Sequence, residues 1–204
     1  MSHPTAEKGG SALTIRVVFA GVMAAIVYVV TFFRIPFLYS QVHFANSMCL
    51  LSGLLLGPVW GGAAAGLGSA LYDVVAAEYG FFDAVITFVT KAAMAWIAGT
   101  LFRNLVVKKG RLSLPWQQNL VTVILCCAAG ALGYVALYIF KSWMFALYVN
   151  PIPAETIPAV LWGKLVPSLI NALFAVITAP VFYHAVRPPL KAAGILPKIA
   201  GEKP

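Results

Sequence analysis

The sequence predicts an all-α integral membrane protein, a bundle of six transmembrane helices with both termini in the cytoplasm. Three observations carry that prediction. The 204 residues are 61% hydrophobic and only 10% charged, against roughly 25% charged in a soluble domain. With a mean hydropathy of +0.90, water cannot be the only solvent. Apolar runs of membrane-spanning character recur along the whole chain. Basic residues crowd the alternate connections between those runs, which fixes a sidedness.

The first span is expected near 15–33. Lys8 and Arg16 precede its run VVFAGVMAAIVYVVTFF, but no small-residue cleavage site follows and further apolar runs do, so it is a helix and not a secretory signal. The second, near 44–57, is short for a span and begins in a partly buried loop. The remaining spans are placed near 59–77, 84–102, 119–140 and 160–182. The runs are continuous, not alternating, which argues for helices over a barrel. Joints fall at RIP, GP, YG and NPIP, and Pro167 is expected to kink the last helix. The organisation is a cytoplasmic tail over 1–12, one transmembrane domain over 13–188 and a basic cytoplasmic tail over 189–204. No internal repeat or second domain is evident.

With the N-terminus inside, the cytoplasmic segments hold Lys8, Arg16, Arg103, Lys108, Lys109, Arg111, Arg187, Lys191, Lys198 and Lys203. The outer segments hold only Arg34 and Lys141 as basic residues, and Asp73, Glu78, Asp83 and Glu155 lie at or near the outer face. The net charge of +8 is therefore a topology signal that also suits anionic lipid headgroups. It is no nucleic-acid face, because the basic loop RNLVVKKGR lacks interleaved aromatics.

Lys91 and Lys164 fall inside apolar runs on the outer half. An intramembrane amine is costly and marks a functional site by default, the alternative being snorkelling to the headgroups. Partners for Lys91 would be Asp83, Asp73 or an oxygen-rich group of a ligand. Asp73 and Asp83 bracket the outer turn, near Tyr72, Glu78 and Tyr79, and as solvated turn residues would need no further role. Tyr134 and Tyr138, one helical turn apart, suit either a planar ligand or an aromatic belt. Asn171 lies deep in the last helix, where a buried amide needs a partner from a ligand or another helix. Small residues four apart, Ala20/Ala24 and Gly21/Ala25 in the first span and Gly62, Gly66, Gly68 and Ala70 in the third, permit close helix approach in lipid. Cys49, Cys126 and Cys127 lie in apolar runs without metal-site spacing and read as packing residues.

No catalytic signature appears: no HExxH, no phosphate-cradling glycine loop and no G-x-S-x-G elbow. His3, His43 and His184 are too scattered for a metal site, and no cofactor is expected. Any ATP used must be hydrolysed by another chain. A small secondary transporter or channel, or an intramembrane enzyme built on Asp73, Asp83 and His43, are the competing classes. The former usually shows broken helices or repeats, and the latter needs a converged, watered site.

The stretches GVMAAIVYV, VHFANSMCLLSGLLLGPVWGGAAAGLGSALYDV and FDAVITFVTKAAMAWIAGTLFR resemble those of the substrate-binding membrane subunit (S component) of energy-coupling factor (ECF) micronutrient transporters, in the riboflavin-transporter-like branch. The resemblance covers roughly residues 12–190. It implies high-affinity uptake of riboflavin, a queuosine-precursor deazaguanine or a pyridoxine-like heteroaromatic compound across a prokaryotic plasma membrane. The implied partners are a transmembrane coupling subunit and two cytoplasmic ATPases. It implies that FRIPFLYSQVHFAN is a lid, that His43 and Asn46 point into the pocket, and that Asp83, Lys91, Tyr134, Tyr138, Lys164 and Asn171 supply the rest. It also places the coupling contact at Ala20 and Ala24 with Gly21 and Ala25 beside them, without choosing which register faces the partner.

Overall fold

The computed structural model of the chain describes residues 5–37, 40–75, 80–111 and 115–200. The fold is helical apart from one short hairpin. Helix α1 (Thr5–Thr31) leads into β1 (Arg34–Phe37) and β2 (Ser40–His43), followed by α2 (Ala45–Val75) and α3 (Phe81–Phe102). Then come α4 (Trp116–Met144), α5 (Ile157–Ala192) and the short α6 (Leu196–Ala200). The far ends of α3 and α4 widen into π-helical turns, Arg103–Val107 and Phe145–Val149. Among the described residues, five helices are long and apolar enough to cross a membrane, as in a multi-pass membrane protein.

Helix α2 is not straight. Gly57 has φ 76° and ψ −176°, a backbone region essentially closed to side chains other than glycine's hydrogen, and Pro58 follows. The chain reverses there. Ser52 Oγ donates to the Gly61 carbonyl at 2.9 Å and Cys49 Sγ lies 3.7 Å from Ser69 Oγ. In a straight helix residues 52 and 61 would stand about 13 Å apart along the axis. The two arms, 45–56 and 58–75, are therefore an antiparallel pair, and the turn expected at GP is where the sequence placed it.

This hairpin is the centre of the molecule. Helix α1 packs on one side of it and α3 on the other, with α4 and α5 completing the bundle. The first arm is buried from Ala45 to Leu56. Glycines allow this density. A Cβ on Gly99 would meet the Gly53 carbonyl oxygen at 2.7 Å, and one on Gly130 would meet that of Met94 at 2.6 Å, so α2, α3 and α4 touch backbone to backbone. Outward-facing Val18, Leu67, Leu71, Val89, Leu125, Leu132, Leu173 and Ile177 are exposed, the surface a bilayer would cover.

Within the loop read as a lid, the chain pairs as an antiparallel hairpin in the register Arg34↔His43, Ile35↔Val42, Pro36↔Gln41 and Phe37↔Ser40. Val42 is buried, and Phe44 packs edge-on against Phe174 of α5 at 4.9 Å. Helix α5 carries Pro167 and Pro180 within its length. At the end of the bundle bearing the basic loops, Arg16 Nε donates to the Lys198 carbonyl at 2.7 Å, and Leu196 and Ile199 of α6 are buried.

Candidate functional site

A cavity of about 700 Å³ opens at the end of the bundle opposite those basic loops. Each wall contributes at helical spacing, since residues three and four apart share a face. Helix α3 gives Asp83, Thr87 and Lys91; α4 gives Tyr134, Tyr138, Lys141, Ser142 and Phe145. Helix α5 gives Gly163, Lys164, Pro167, Ser168 and Asn171. The second arm of α2 gives Ser69, Tyr72 and Asp73, and the first arm begins at the cavity with Ala45 and Asn46.

The short first arm explains the depth of Asn46. Residues 45–56 rise only about 18 Å at 1.5 Å each, well short of the ~30 Å apolar layer. Starting from the Gly57 turn, the arm ends part-way up, and the cavity occupies the space above it. Asn46, 2% exposed, and Lys91, 6% exposed, meet at this floor. Lys91 Nζ donates to Asn46 Oδ1 and lies 3.8 Å from the centre of the Tyr134 ring. Burying an ammonium costs several kcal/mol unless partners replace its water. The amide oxygen and the ring face offset part of that, the ring by up to about 2 kcal/mol when desolvated.

One turn outward along α3, the Thr87 side chain hydrogen-bonds Asp73, which is 7% exposed. A further turn outward, Asp83 pairs with Lys141 of α4, the two side chains being 27% and 22% exposed. The rings of Tyr134 and Tyr138 are stacked, 22° between planes at 6.1 Å. Asn171 Nδ2 donates to the Pro167 carbonyl at 3.2 Å, and Lys164 is exposed at the rim. The floor is thus cationic and amide-lined, the wall partly aromatic and the mouth ion-paired.

Of the residues singled out from the sequence, Asn46, Asp83, Lys91, Tyr134, Tyr138, Lys164 and Asn171 all line this one cavity. The backbone of His43 ends β2, next to Phe44 and Ala45, but its side chain is outside the described ones, as are residues Glu78 and Tyr79. Lys141, Ser142, Thr87, Ser69, Ser168 and Asn150 were not singled out. For Thr87 the signal existed: it lies one turn from both Asp83 and Lys91. Asp73, read from the sequence as a solvated turn residue, a partner for Lys91 or part of a competing enzyme site, is a buried wall residue beside Thr87. Among the described residues no cluster of His, Cys, Asp or Glu could hold a metal ion.

On α1 the two small-residue registers separate. Ala20 and Ala24 are half-buried against the core, and the Ala24 carbonyl sits in the gap left by Gly68. Gly21 and Ala25 are exposed, between exposed Val17, Val18, Val22 and Val29.

A membrane bundle with a deep, polar and partly aromatic cavity at one end has the form of a protein that holds a small molecule. Residues 12–188 match the family described as the ECF-type riboflavin transporter, S component, and the chain belongs to that family. It is a transport subunit that binds a small-molecule substrate and associates with an ECF module, not an enzyme. None of the curated proteins compared with it matches the chain.

Proposed function

We propose that this chain captures a heteroaromatic micronutrient from outside a prokaryotic cell and delivers it through an ATP-driven ECF complex. The observation that carries this reading is the convergence of Asn46, Lys91, Tyr134, Tyr138 and Asn171 on one cavity. A volume of about 700 Å³ falls in the range of small-molecule sites. Riboflavin, a deazaguanine or a pyridoxine-like ring all fit that space, each offering a flat face to the tyrosines and polar edges to the amides.

The membrane arrangement follows from the α2 hairpin. Counting its arms separately gives six crossings over residues 13–188, the first arm a partial one, with both termini in the cytoplasm. The grouping of Arg16, Arg103, Lys108, Lys109, Arg111, Arg187, Lys191 and Lys198 at the end away from the cavity supports this orientation. The cavity then faces outward, with the β1–β2 hairpin and His43 as its lid. ATP is hydrolysed by two ATPases on the inner side, and the chain itself carries no cofactor. The coupling protein docks on α1 through exposed Gly21 and Ala25, while Ala20 and Ala24 hold α1 to its own bundle.

The test is affinity purification from membranes of cells grown in rich medium. The coupling protein and both ATPases should co-purify, and denaturation should release a heteroaromatic compound identifiable by absorbance and mass spectrometry. Failure to release any small molecule would remove the cavity from the account.

A further inference from the structure

Two buried groups of the cavity keep hydrogen-bonding capacity that the bundle leaves unused. Asn46 Oδ1 accepts from Lys91. An ammonium only donates, so Lys91 fixes which end of the amide it meets. Asn46 Nδ2 is left as a donor, without a partner among the described residues. Asp73 takes a hydrogen bond from Thr87. A carboxylate has about four acceptor sites, and among the described residues no cation is paired with this one, the ion pair there being Lys141–Asp83. Asn46 and Asp73 stand on opposite arms of the α2 hairpin and line the same cavity. Helix α3 spaces their supports, since Thr87 and Lys91 share a face about 6 Å apart along the axis.

The charges around these two groups cancel. Lys91 and Asp73 are one cation and one anion, Asp83 and Lys141 neutralise each other, and Lys164 is exposed at the rim. A charged cargo finds no excess of the opposite sign in the interior, and a neutral one costs least to desolvate. The spare donor and the spare acceptor must still be met, because a buried polar group without a partner is costly. A cyclic amide meets both, its carbonyl accepting and its ring N–H donating. Its flat ring also suits the stacked rings of Tyr134 and Tyr138.

We propose that Asp73 determines specificity, accepting from the ring N–H of a neutral cyclic amide whose carbonyl takes the Asn46 Nδ2 donor. Riboflavin and a deazaguanine both carry such an edge. A pyridoxine-like ring, with a pyridine nitrogen and hydroxyls, does not. This deepens the transport reading and rests on it, since it names the edge by which the cavity selects its cargo and the residue that reads it.

The test titrates dialysed, detergent-purified protein with riboflavin, a deazaguanine and pyridoxine, and with ring N-methyl forms of the first two. At least one of the two cyclic amides should bind, and pyridoxine should not. The N-methyl form of the one that binds should bind ~30-fold more weakly, the scale of losing a hydrogen bond to a charged group. Asp73→Leu should weaken the parent about as much and leave the N-methyl form near its wild-type affinity, so that the ratio between them falls to within about threefold. A carboxylate that only braced α2 against α3 would weaken both alike and keep the ratio, and that result overturns the proposal. Because the N-methyl comparison uses wild-type protein, it stands even where Asp73→Leu fails to fold. Binding of pyridoxine, or an N-methyl form within about threefold of its parent on the wild type, also overturns the proposal and leaves the transport reading intact. Binding of none of the three overturns the heteroaromatic-cargo reading, and this proposal with it.

Discussion

Asn46 does two jobs with one amide. Its Oδ1 accepts from Lys91, which leaves the amide nitrogen as a donor for cargo. Asn46→Ala should therefore weaken cargo binding at least about tenfold, or ~1.4 kcal/mol, without unfolding the protein, as titration and thermal melting in detergent would read. Unchanged affinity would remove Asn46 from the site. Asn46→Asp separates the two jobs more sharply. A carboxylate there keeps an acceptor for Lys91 but has no amide N–H, so the variant should melt no lower than wild type yet bind cargo more weakly. The Asp83–Lys141 pair is a different case. It is partly solvated at the mouth of the cavity, and pairs that water reaches contribute about 1 kcal/mol or less, so Lys141→Ala should shift the melting point little. A large fall in stability would mean that the pair closes the mouth of the bundle.

At the scale of elements, the α2 hairpin decides where the site can be. The reversal depends on Gly57, where φ 76° disfavours a side chain for conformational reasons, a would-be Cβ meeting nothing within 4 Å beyond its own stretch of chain. Gly57→Ala should cost about 1–3 kcal/mol in thermal unfolding. Cargo affinity should hold near wild type, because the turn is at the opposite end from the cavity. Gly53 and Gly99 differ: their cost is steric, since a Cβ on either meets backbone of the facing helix, and overpacking of that kind costs about 1–3 kcal/mol. The apolar runs and their joints were legible in the sequence because lipid demands continuous hydrophobicity and glycine–proline pairs mark reversals. The β1–β2 pairing was not. A four-residue strand containing Pro36 leaves a weak alternating pattern, and the contact of its partner β2 with α5 is invisible in one dimension. Helical spacing likewise made Asp83 and Lys91 visible, whereas Lys141 looked like an outer-loop charge until α4 ran on to Met144. Which residues share a cavity depends on how the five long helices pack, and one-dimensional spacing does not encode that.

For the whole molecule, the cavity and the proposed partner face on α1 are separate surfaces of one bundle. Gly21 and Ala25 face outward on α1, and Ala20 and Ala24 are half-buried against the bundle. The sequence named both registers but could not choose, because the choice depends on which side of α1 meets Gly68. Replacing Ala25 by leucine should spare cargo binding and cut uptake, since a bulky side chain blocks close helix approach in lipid. Ala24→Leu should instead lower the melting point, by crowding the α1–α2 contact.

Uptake into proteoliposomes containing this chain, its coupling protein and both ATPases tests the central claim most directly. The compound released from the purified chain should accumulate only when ATP is on the ATPase side. Asn46→Ala should reduce accumulation by weakening capture, and Ala25→Leu should abolish it with capture intact. Equal accumulation without ATP, or by this chain alone, would contradict the account and assign the cavity to a channel or secondary transporter.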